Sequence, residues 1–462
     1  MKISELYNKK IGIVGYGIEG ESVARFLRKR NIEFSVLDRT QDLSSVEGAI
    51  ECVFGDRYLD NLGRFDLLIR APGVRPFLSE LLEFQKNGGI IETQTRLFFD
   101  NYPNRKKIIG VTGTKGKGTT CILLNKIFEA NGEESLIGGN IGKGVLDLLD
   151  ETSENFDPWI ILELSSFQLQ DLEASPHIAV VLMVTSDHLD YHRSIEEYVQ
   201  AKFPIAKYQT VDDSIIANAD YPSSVEVAET SAAKKYYFST AKSMGDLAAY
   251  ASKEDDAIYL VRNEKKTLLG KISDLKLKGY HNTQNICAAT LAASAAGVSD
   301  EVIWSAAKEF SGYEHRLQFV AERSGVKFYD DSSGTNTTST LTAVDAFDQP
   351  TILLVGGFSK GQDYEALGFE LSKKGKEKLK AIILLGNIAD QINQGLEEGN
   401  YDGQTIHITD QTSNAYDLAF QEIHKIAEPG DIVLLAPGTS SFDMFKNYKE
   451  RGEYFSALAK KF

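Results

Sequence analysis

Lys107-Ile108-Ile109-Gly110-Val111-Thr112-Gly113-Thr114-Lys115-Gly116-Lys117-Gly118-Thr119-Thr120 is the stretch from which the rest of this 462-residue chain can be read. A short apolar run enters a glycine-rich turn, and a helical pattern over 121–129 leaves it. Strand, turn and helix N-terminus in that order make a phosphate cradle, because backbone N–H groups and the positive end of the helix dipole face one point. Glycines let the backbone approach the phosphate oxygens, and Lys117 adds a full positive charge. Two lysines in one such turn need an anion to offset them. The predicted ligand is a nucleoside triphosphate, its phosphates held by Gly113, Thr114, Lys115, Gly116, Lys117, Gly118 and Thr119. The turn is shorter than the usual P-loop spacing, and Gly118 stands where a hydroxyl normally reaches a magnesium ion. Thr119, one position later, is the candidate substitute.

Downstream, polar residues gather where apolar runs end. A second glycine turn, Gly138-Gly139-Asn140-Ile141-Gly142, carries one polar side chain. The run Trp159-Ile160-Ile161-Leu162 passes into Glu163-Leu164-Ser165-Ser166-Phe167-Gln168, placing an acid at a buried strand end where a magnesium ligand is wanted. The run 178–184 ends in Asp187-His188-Leu189-Asp190-Tyr191-His192. His188 alone reads as a core or capping histidine; with Glu163 on a neighbouring strand it reads as a metal ligand. A helix is expected over 194–208, carrying Lys202 between Ala201 and Phe203. A lysine so placed ordinarily snorkels. Residues 221–277 are polar with short strand-like pieces such as Ala257-Ile258-Tyr259-Leu260-Val261, and read as peripheral. The cluster Gly279-Tyr280-His281-Asn282-Thr283-Gln284-Asn285 precedes an Ala-rich helix, with Asn282 or Thr283 either capping it or touching a base or ribose.

Upstream, Lys10-Ile11-Gly12-Ile13-Val14 leads into Gly15-Tyr16-Gly17-Ile18-Glu19-Gly20, a helical pattern, and Phe34-Ser35-Val36-Leu37 ending at Asp38. This βαβ unit, with G-x-G-x-x-G and an acid at the next strand end, reads first as a nicotinamide-dinucleotide site. A polar linker near 100–105 closes that segment. A further α/β segment begins near Ser311-Gly312-Tyr313, with strand ends at Asp330-Asp331, Gly356-Gly357-Phe358-Ser359-Lys360, Gly386 and Ala436-Pro437-Gly438-Thr439-Ser440-Ser441-Phe442-Asp443. The expected fold class is therefore α/β in three domains. Residues 1–104 and 313–462 are Rossmann-like, and 105–312 form a central P-loop-type mononucleotide-binding domain.

Composition bounds the rest. The chain is 42% hydrophobic and 25% charged, as globular proteins are, and its formal charge of −16 opposes broad nucleic-acid binding. Cys52, Cys121 and Cys287 have no metal-ligand spacing, which suits a reducing compartment. The opening residues lack a secretory pattern, and no run approaches the roughly 20 apolar residues of a membrane span. The expectation is a cytoplasmic protein with no nucleic-acid or membrane partner.

Taken together, Gly113-Thr114-Lys115-Gly116-Lys117, Gly139-Asn140-Ile141-Gly142, Glu163-Leu164-Ser165-Ser166-Phe167-Gln168, Asp187-His188-Leu189-Asp190, His281-Asn282 and His315-Arg316 occur in the order seen in Mur ligases, and the chain resembles that family over nearly its whole length. Phe442-Asp443-Met444-Phe445-Lys446-Asn447 with Arg451-Gly452 adds to the likeness. The resemblance implies an ATP- and Mg²⁺-dependent monomeric ligase that adds D-glutamate to UDP-N-acetylmuramoyl-L-alanine in peptidoglycan precursor synthesis. It implies that the first domain holds the sugar nucleotide, with Gly15 and Gly17 at the diphosphate and Asp38 near the uracil. It implies a metal set of Glu163, His188, Lys202 as its carbamate, and Thr119, with Lys117 among the catalytic groups. Asn140, Ser165 and Gln168 would meet the substrate; Asn282, Arg316 and Asp331 the nucleotide; Lys360, Ser441, Phe442 and Tyr448 the amino acid. Ser333 departs from the family, which often has lysine there. A different acceptor amino acid, or a folate-type one, is the alternative within the class.

Overall fold

The computed structural model describes residues 1–40, 45–153, 156–187, 191–240, 247–262, 264–277, 279–359 and 362–462. His188 and Lys360, both singled out above, lie outside the described residues. The chain forms two units, residues 1–274 with 283–307, and 275–282 with 308–462.

The first unit contains two sheets. One is parallel, in the order Ala49–Phe54, Phe34–Asp38, Ile11–Val14, Leu67–Arg70, Ile90–Glu92. Its central strands are apolar on both faces and buried throughout, as strands covered on both sides must be. The other has Ile108–Thr112 at its heart, between Trp159–Glu163 and Ile178–Val181, with Ser135–Gly139 at one edge. Beyond Ile178–Val181 the sheet continues through Ser214–Asn218, Lys234–Ser239 and Leu247–Ser252, then turns antiparallel through Ala257–Arg262 and Lys265–Lys271. The segment 221–277, expected to be peripheral, thus supplies the far half of this sheet. Lys234–Ser239 and Lys265–Lys271 are largely exposed or half-buried, and sequence polarity alone does not distinguish such strands from loop.

One apolar core runs through both sheets, from Ile11 and Phe34 to Ile160 and Val181. Charged contacts pin them at the side. The helix Ile18–Lys29 lies on Val145–Glu151 through Arg25 to Asp147 at 3.0 Å and Lys29 to Asp150 at 3.0 Å. The Arg70 side chain, fully buried, is paired with Asp171.

The second unit is built on a sheet in the order Gln318–Arg323, Val326–Asp330, Ile432–Leu435, Thr351–Gly356, Leu379–Leu385, Gln404–His407. Gln318–Arg323 is antiparallel to its neighbour and the other pairings are parallel. Apolar clusters cover both faces. In each of the three sheets the glycine- and hydroxyl-bearing turns sit at the carboxyl ends of parallel strands, where open α/β sheets bind ligands.

Candidate active site

The helix Lys117–Ala130 follows directly on the glycine turn, opening four residues earlier than its apolar pattern suggests. Gly116 is its N-cap in the left-handed region, at φ +89°. A Cβ there would run into Asn285 Oδ1, so the position is closed to side chains twice over. Lys117 curls back over the turn, donating to the carbonyl oxygens of Gly113 at 2.8 Å and Thr114 at 3.1 Å. Burial lowers its pKa, against the pull of Glu163 and Asp187. The turn is fastened to the next strand end: Thr114 donates its N–H to the Met183 carbonyl at 2.6 Å, and Thr185 donates its N–H to Thr114 Oγ1 at 3.0 Å.

Glu163 ends its strand on the neighbouring side and is buried. The second glycine turn wraps it. Gly139, at φ +96°, packs so tightly on the Glu163 carbonyl that no Cβ fits. Asn140 then donates its N–H to that carbonyl at 2.9 Å and its side-chain amide to Glu163 Oε1 at 3.0 Å. Asn140, expected against substrate, is thereby a support for Glu163. On the other side, a side-chain carbon at 118 would stand 3.2 Å from Glu163 Oε2. Gly118 leaves that space open beside the carboxylate.

Lys202 is 1% exposed. The expected helix over 194–208 is broken around it, into Ile195–Gln200 and Pro204–Lys207. Pro204 cannot donate its nitrogen within a continuous helix, and the turn this produces places Lys202 inward. Its Nζ lies 3.4 Å from Thr112 Oγ1 and 4.5 Å from the centre of the Tyr198 ring. Burial, then the charge of Lys117, drive its pKa well below the usual lysine range. A neutral amine is the form that adds carbon dioxide to become a carbamate, so this burial prepares the group for that change.

The donors here are hard oxygens, the Glu163 carboxylate and the half-buried Thr119 hydroxyl, which a carbamate on Lys202 would join. Among the described residues no three His, Cys, Asp or Glu side chains converge as a metal cage. A protein-poor oxygen set that leaves positions for phosphates suits Mg²⁺, which rarely uses an all-protein cage. His192, four residues past His188, is buried with Nε2 3.0 Å from Ser166 Oγ.

At the first sheet, Asp38 accepts from the N–H of Tyr16 at 2.5 Å and Thr40 at 2.7 Å, so the acid braces the Gly15–Gly17 turn. Ser165 and Gln168 form a capping box at the helix Ser166–Leu169. Gln168 then donates from Nε2 to Glu19 Oε1 at 2.7 Å, tying the Gly15–Gly20 turn to the strand end of Glu163.

In the second unit, the C-terminal strand ends gather Arg316, Asp331, Ser441, Phe442 and Tyr448. Buried Arg451 joins two of those loops, donating to the carbonyls of Ser332 at 2.9 Å and Thr439 at 3.0 Å. Phe442 is 64% exposed and meets Phe358 edge-on at 6.4 Å. Asn447 caps the helix Tyr448–Lys461 that carries Tyr448, whose hydroxyl is 3.4 Å from that of Tyr313. Asp331 is buried and its carboxyl is pushed up to about 7, chiefly by desolvation.

Three residues beside these groups carried no role of their own in the sequence. Tyr198 places its hydroxyl 3.0 Å from Thr114 Oγ1, and its spacing four before Lys202 was the available signal. Asn285 meets the phosphate turn, whereas Asn282, three residues earlier, opens the helix Asn282–Ala295. Asp187 acts on both lysines through its charge.

A nucleotide loop with a buried acid and a desolvated lysine, in a chain of three α/β sheets, defines a class of acid–amine ligases, and the chain belongs to the Mur ligase family. Three sequence profiles match: Mur ligase MurD-like, N-terminal domain over residues 9–92, Mur ligase middle domain over 111–293, and Mur ligase, glutamate ligase domain over 315–439. The chain is 35% identical to UDP-N-acetylmuramoylalanine--D-glutamate ligase of Acetivibrio thermocellus, over 98% of this chain and 97% of that one. It is 36% identical to the enzyme of the same name from Acidobacterium capsulatum, over 98% and 96%. The fold is shared with UDP-N-acetylmuramate-alanine ligase MurC of Thermotoga maritima, at a TM-score of 0.55 and 16% identity over 98% and 100% of the chains. It is shared also with MurF of Acinetobacter baumannii, at 0.59 and 20% over 77% and 78%.

Proposed function

We propose that this chain is an ATP-dependent ligase joining D-glutamate to UDP-N-acetylmuramoyl-L-alanine, a step of peptidoglycan precursor synthesis. The observation that carries the reading is the convergence, at neighbouring strand ends of one sheet, of Lys117 over its glycine turn, Glu163 in the grip of Asn140, and Lys202 driven towards neutrality. Full-length likeness to D-glutamate ligases supports the choice of amino acid. Family membership sets aside the nicotinamide reading of the Gly15–Gly20 turn.

The division of labour is residues 1–104 for the sugar nucleotide, 105–312 for ATP and 313–462 for the amino acid, in a cytoplasmic monomer. An amine does not displace oxide from a carboxylate, so the carboxylate is first activated. Its oxygen takes the γ-phosphoryl group of ATP, giving an acyl phosphate and ADP. The amine of D-glutamate then attacks the acyl carbon; the tetrahedral adduct loses phosphate and a proton and leaves the amide. Lys117 holds charge against the transferring phosphoryl oxygens. Glu163, His188, Thr119 and carbamylated Lys202 would hold Mg²⁺, which would supply further charge neutralisation at the phosphates. Asn282, Arg316 and Asp331 are further contacts of the nucleotide. Lys360, Ser441, Phe442 and Tyr448 hold the amino acid.

Phosphate release tests this. It is expected to require ATP, UDP-N-acetylmuramoyl-L-alanine and D-glutamate together, and to stay at background when L-lysine, meso-diaminopimelate or L-alanine replaces D-glutamate. Turnover with one of those three instead refutes the acceptor assignment.

A further inference from the structure

The turn that presents Arg316 is strained on both sides. His315 lies at φ +62° and Leu317 at φ +43°, a left-handed backbone that bulky side chains rarely adopt. Such a conformation persists only where its surroundings over-determine it, and it is found at ligand clamps. Here each N–H of the turn is taken. His315 donates to Gln318 Oε1 at 2.8 Å, Arg316 to the Tyr313 carbonyl at 2.8 Å, and Leu317 to Asp331 Oδ1 at 3.0 Å. The His315 carbonyl in turn accepts from the Ser333 N–H at 2.8 Å.

The imidazole is the anchor. His315 Nδ1 lies 2.7 Å from Asp330 Oδ2, with the carboxylate fully buried, and Asp330 Oδ1 accepts from the Ser332 N–H at 2.8 Å. The helix Tyr448–Lys461 makes room for the pair at one position. A Cβ on Gly452 would collide with His315 Nδ1 and stand 2.5 Å from Asp330 Oδ2. Everything around Arg316 is therefore fixed, while its own guanidinium is half exposed, with Nε 3.8 Å from Asp331 Oδ1. That is an ion pair beyond hydrogen-bond reach, which leaves the guanidinium half exposed.

We propose that His315 and Asp330 are a positioning pair that holds the strained turn and so presents the Arg316 guanidinium to a phosphate group of the nucleotide. This rests on the ligase reading, in which Arg316 meets the nucleotide. A cation fixed before the ligand arrives spends little of the binding energy on its own ordering. Freed from the anchor, the turn relaxes and Arg316 swings.

The test compares wild type with His315→Ala, His315→Asn and Leu317→Gly in the full chain, measuring Tm and the KM for each of the three substrates by phosphate release. Asparagine tolerates the left-handed backbone and offers an amide to Asp330. His315→Ala is expected to raise the KM for ATP at least tenfold while the other two stay within twofold of wild type, and His315→Asn to recover most of that loss. Leu317→Gly relieves the left-handed strain at the cost of a half-buried side chain packed on the core, and leaves the His315–Asp330 pair in place. It is expected to fold and still to weaken ATP, so the comparison stays decisive even if His315→Ala does not fold. An ATP KM within twofold of wild type in Leu317→Gly overturns the proposal. So does a uniform rise of all three KM values in His315→Ala, or an asparagine variant no better than alanine. A wild-type chain that releases no phosphate with any acceptor would sink the ligase reading itself and is told apart by that result.

Discussion

Asn140 holds Glu163 at two points, its N–H on the backbone carbonyl at 2.9 Å and its side-chain amide on Oε1 at 3.0 Å. The main chain and the carboxylate of one residue are thus fixed by a neighbour from the adjoining turn. Only the backbone half of this grip survives Asn140→Ala, and the carboxylate gains rotamer freedom. Partners that orient a metal-binding group are typically worth about 10- to 100-fold in affinity or activity. The variant is expected to need correspondingly more Mg²⁺ for half-maximal phosphate release, with its KM for D-glutamate unchanged.

Lys202 is buried against Thr112 and Tyr198, with its pKa driven down by desolvation. Lys202→Ala should lose nearly all activity and regain part of it with added short-chain carboxylic acids, which bring back the missing anion. Wild-type enzyme kept free of carbon dioxide should lose activity and recover it with bicarbonate. A ¹³C signal from labelled bicarbonate, absent in the variant, reports the carbamate directly. Full activity of Lys202→Ala without rescue removes the residue from the site.

Gly139→Ala meets two obstacles, a backbone at φ +96° and a clash with the Glu163 carbonyl. Neither can be relieved by turning a side chain. The expected loss is roughly 2–4 kcal/mol from overpacking and left-handed strain together. Gly63→Ala is the control, with nothing near its Cβ and an expected change within about 0.5 kcal/mol. Urea unfolding of both, read as a shift of midpoint at constant slope, decides the matter.

Asp331 makes stability depend on pH. Desolvation pushes its carboxyl up to about 7 in the folded chain, against about 3.9 in an unfolded one. Between those values the native state binds more protons, so stability falls as pH rises from about 4 to about 7, by about 4 kcal/mol at most. His315 acts in the same direction. Burial pulls its pKa down, but the Asp330 hydrogen bond and charge more than offset this and leave it raised. Its contribution is whole below the ordinary histidine value and is lost as pH climbs through the folded one. Asp331→Asn should flatten the stability profile between pH 4 and 7 and leave the histidine slope above it. An unchanged profile refutes the assignment.

The strand ends and their turns were legible in the sequence because the signals are local. An unbroken apolar run such as Trp159–Glu163 suits a strand covered on both faces, and the acid that ends it must leave the core at the sheet's carboxyl edge. Glycines at 113 and 116 between an apolar run and a helical pattern mark a strand–turn–helix without knowledge of any neighbour. Of the outer strands over 234–271 only Ala257–Arg262 showed as strand-like; Lys234–Ser239 and Lys265–Lys271 were hidden for the converse reason, since half-exposed strands mix polar and apolar residues as loops do.

By itself, then, the sequence determined three α/β sheets, a glycine turn opening a helix and an acid at the next strand end, since short-range patterns of polarity and turn residues suffice for each. The tertiary structure alone decided which groups meet. Lys202 is an ordinary lysine until Pro204 breaks the helix and burial strips its solvation. Asn140 is a turn residue until it grips Glu163, and the strain at His315 and Leu317 exists only because Asp330, Asp331 and Gly452 leave the backbone nowhere else to go. Desolvation, charge coupling and steric closure depend on what lies within a few ångströms, and residues tens to hundreds of positions apart supply it.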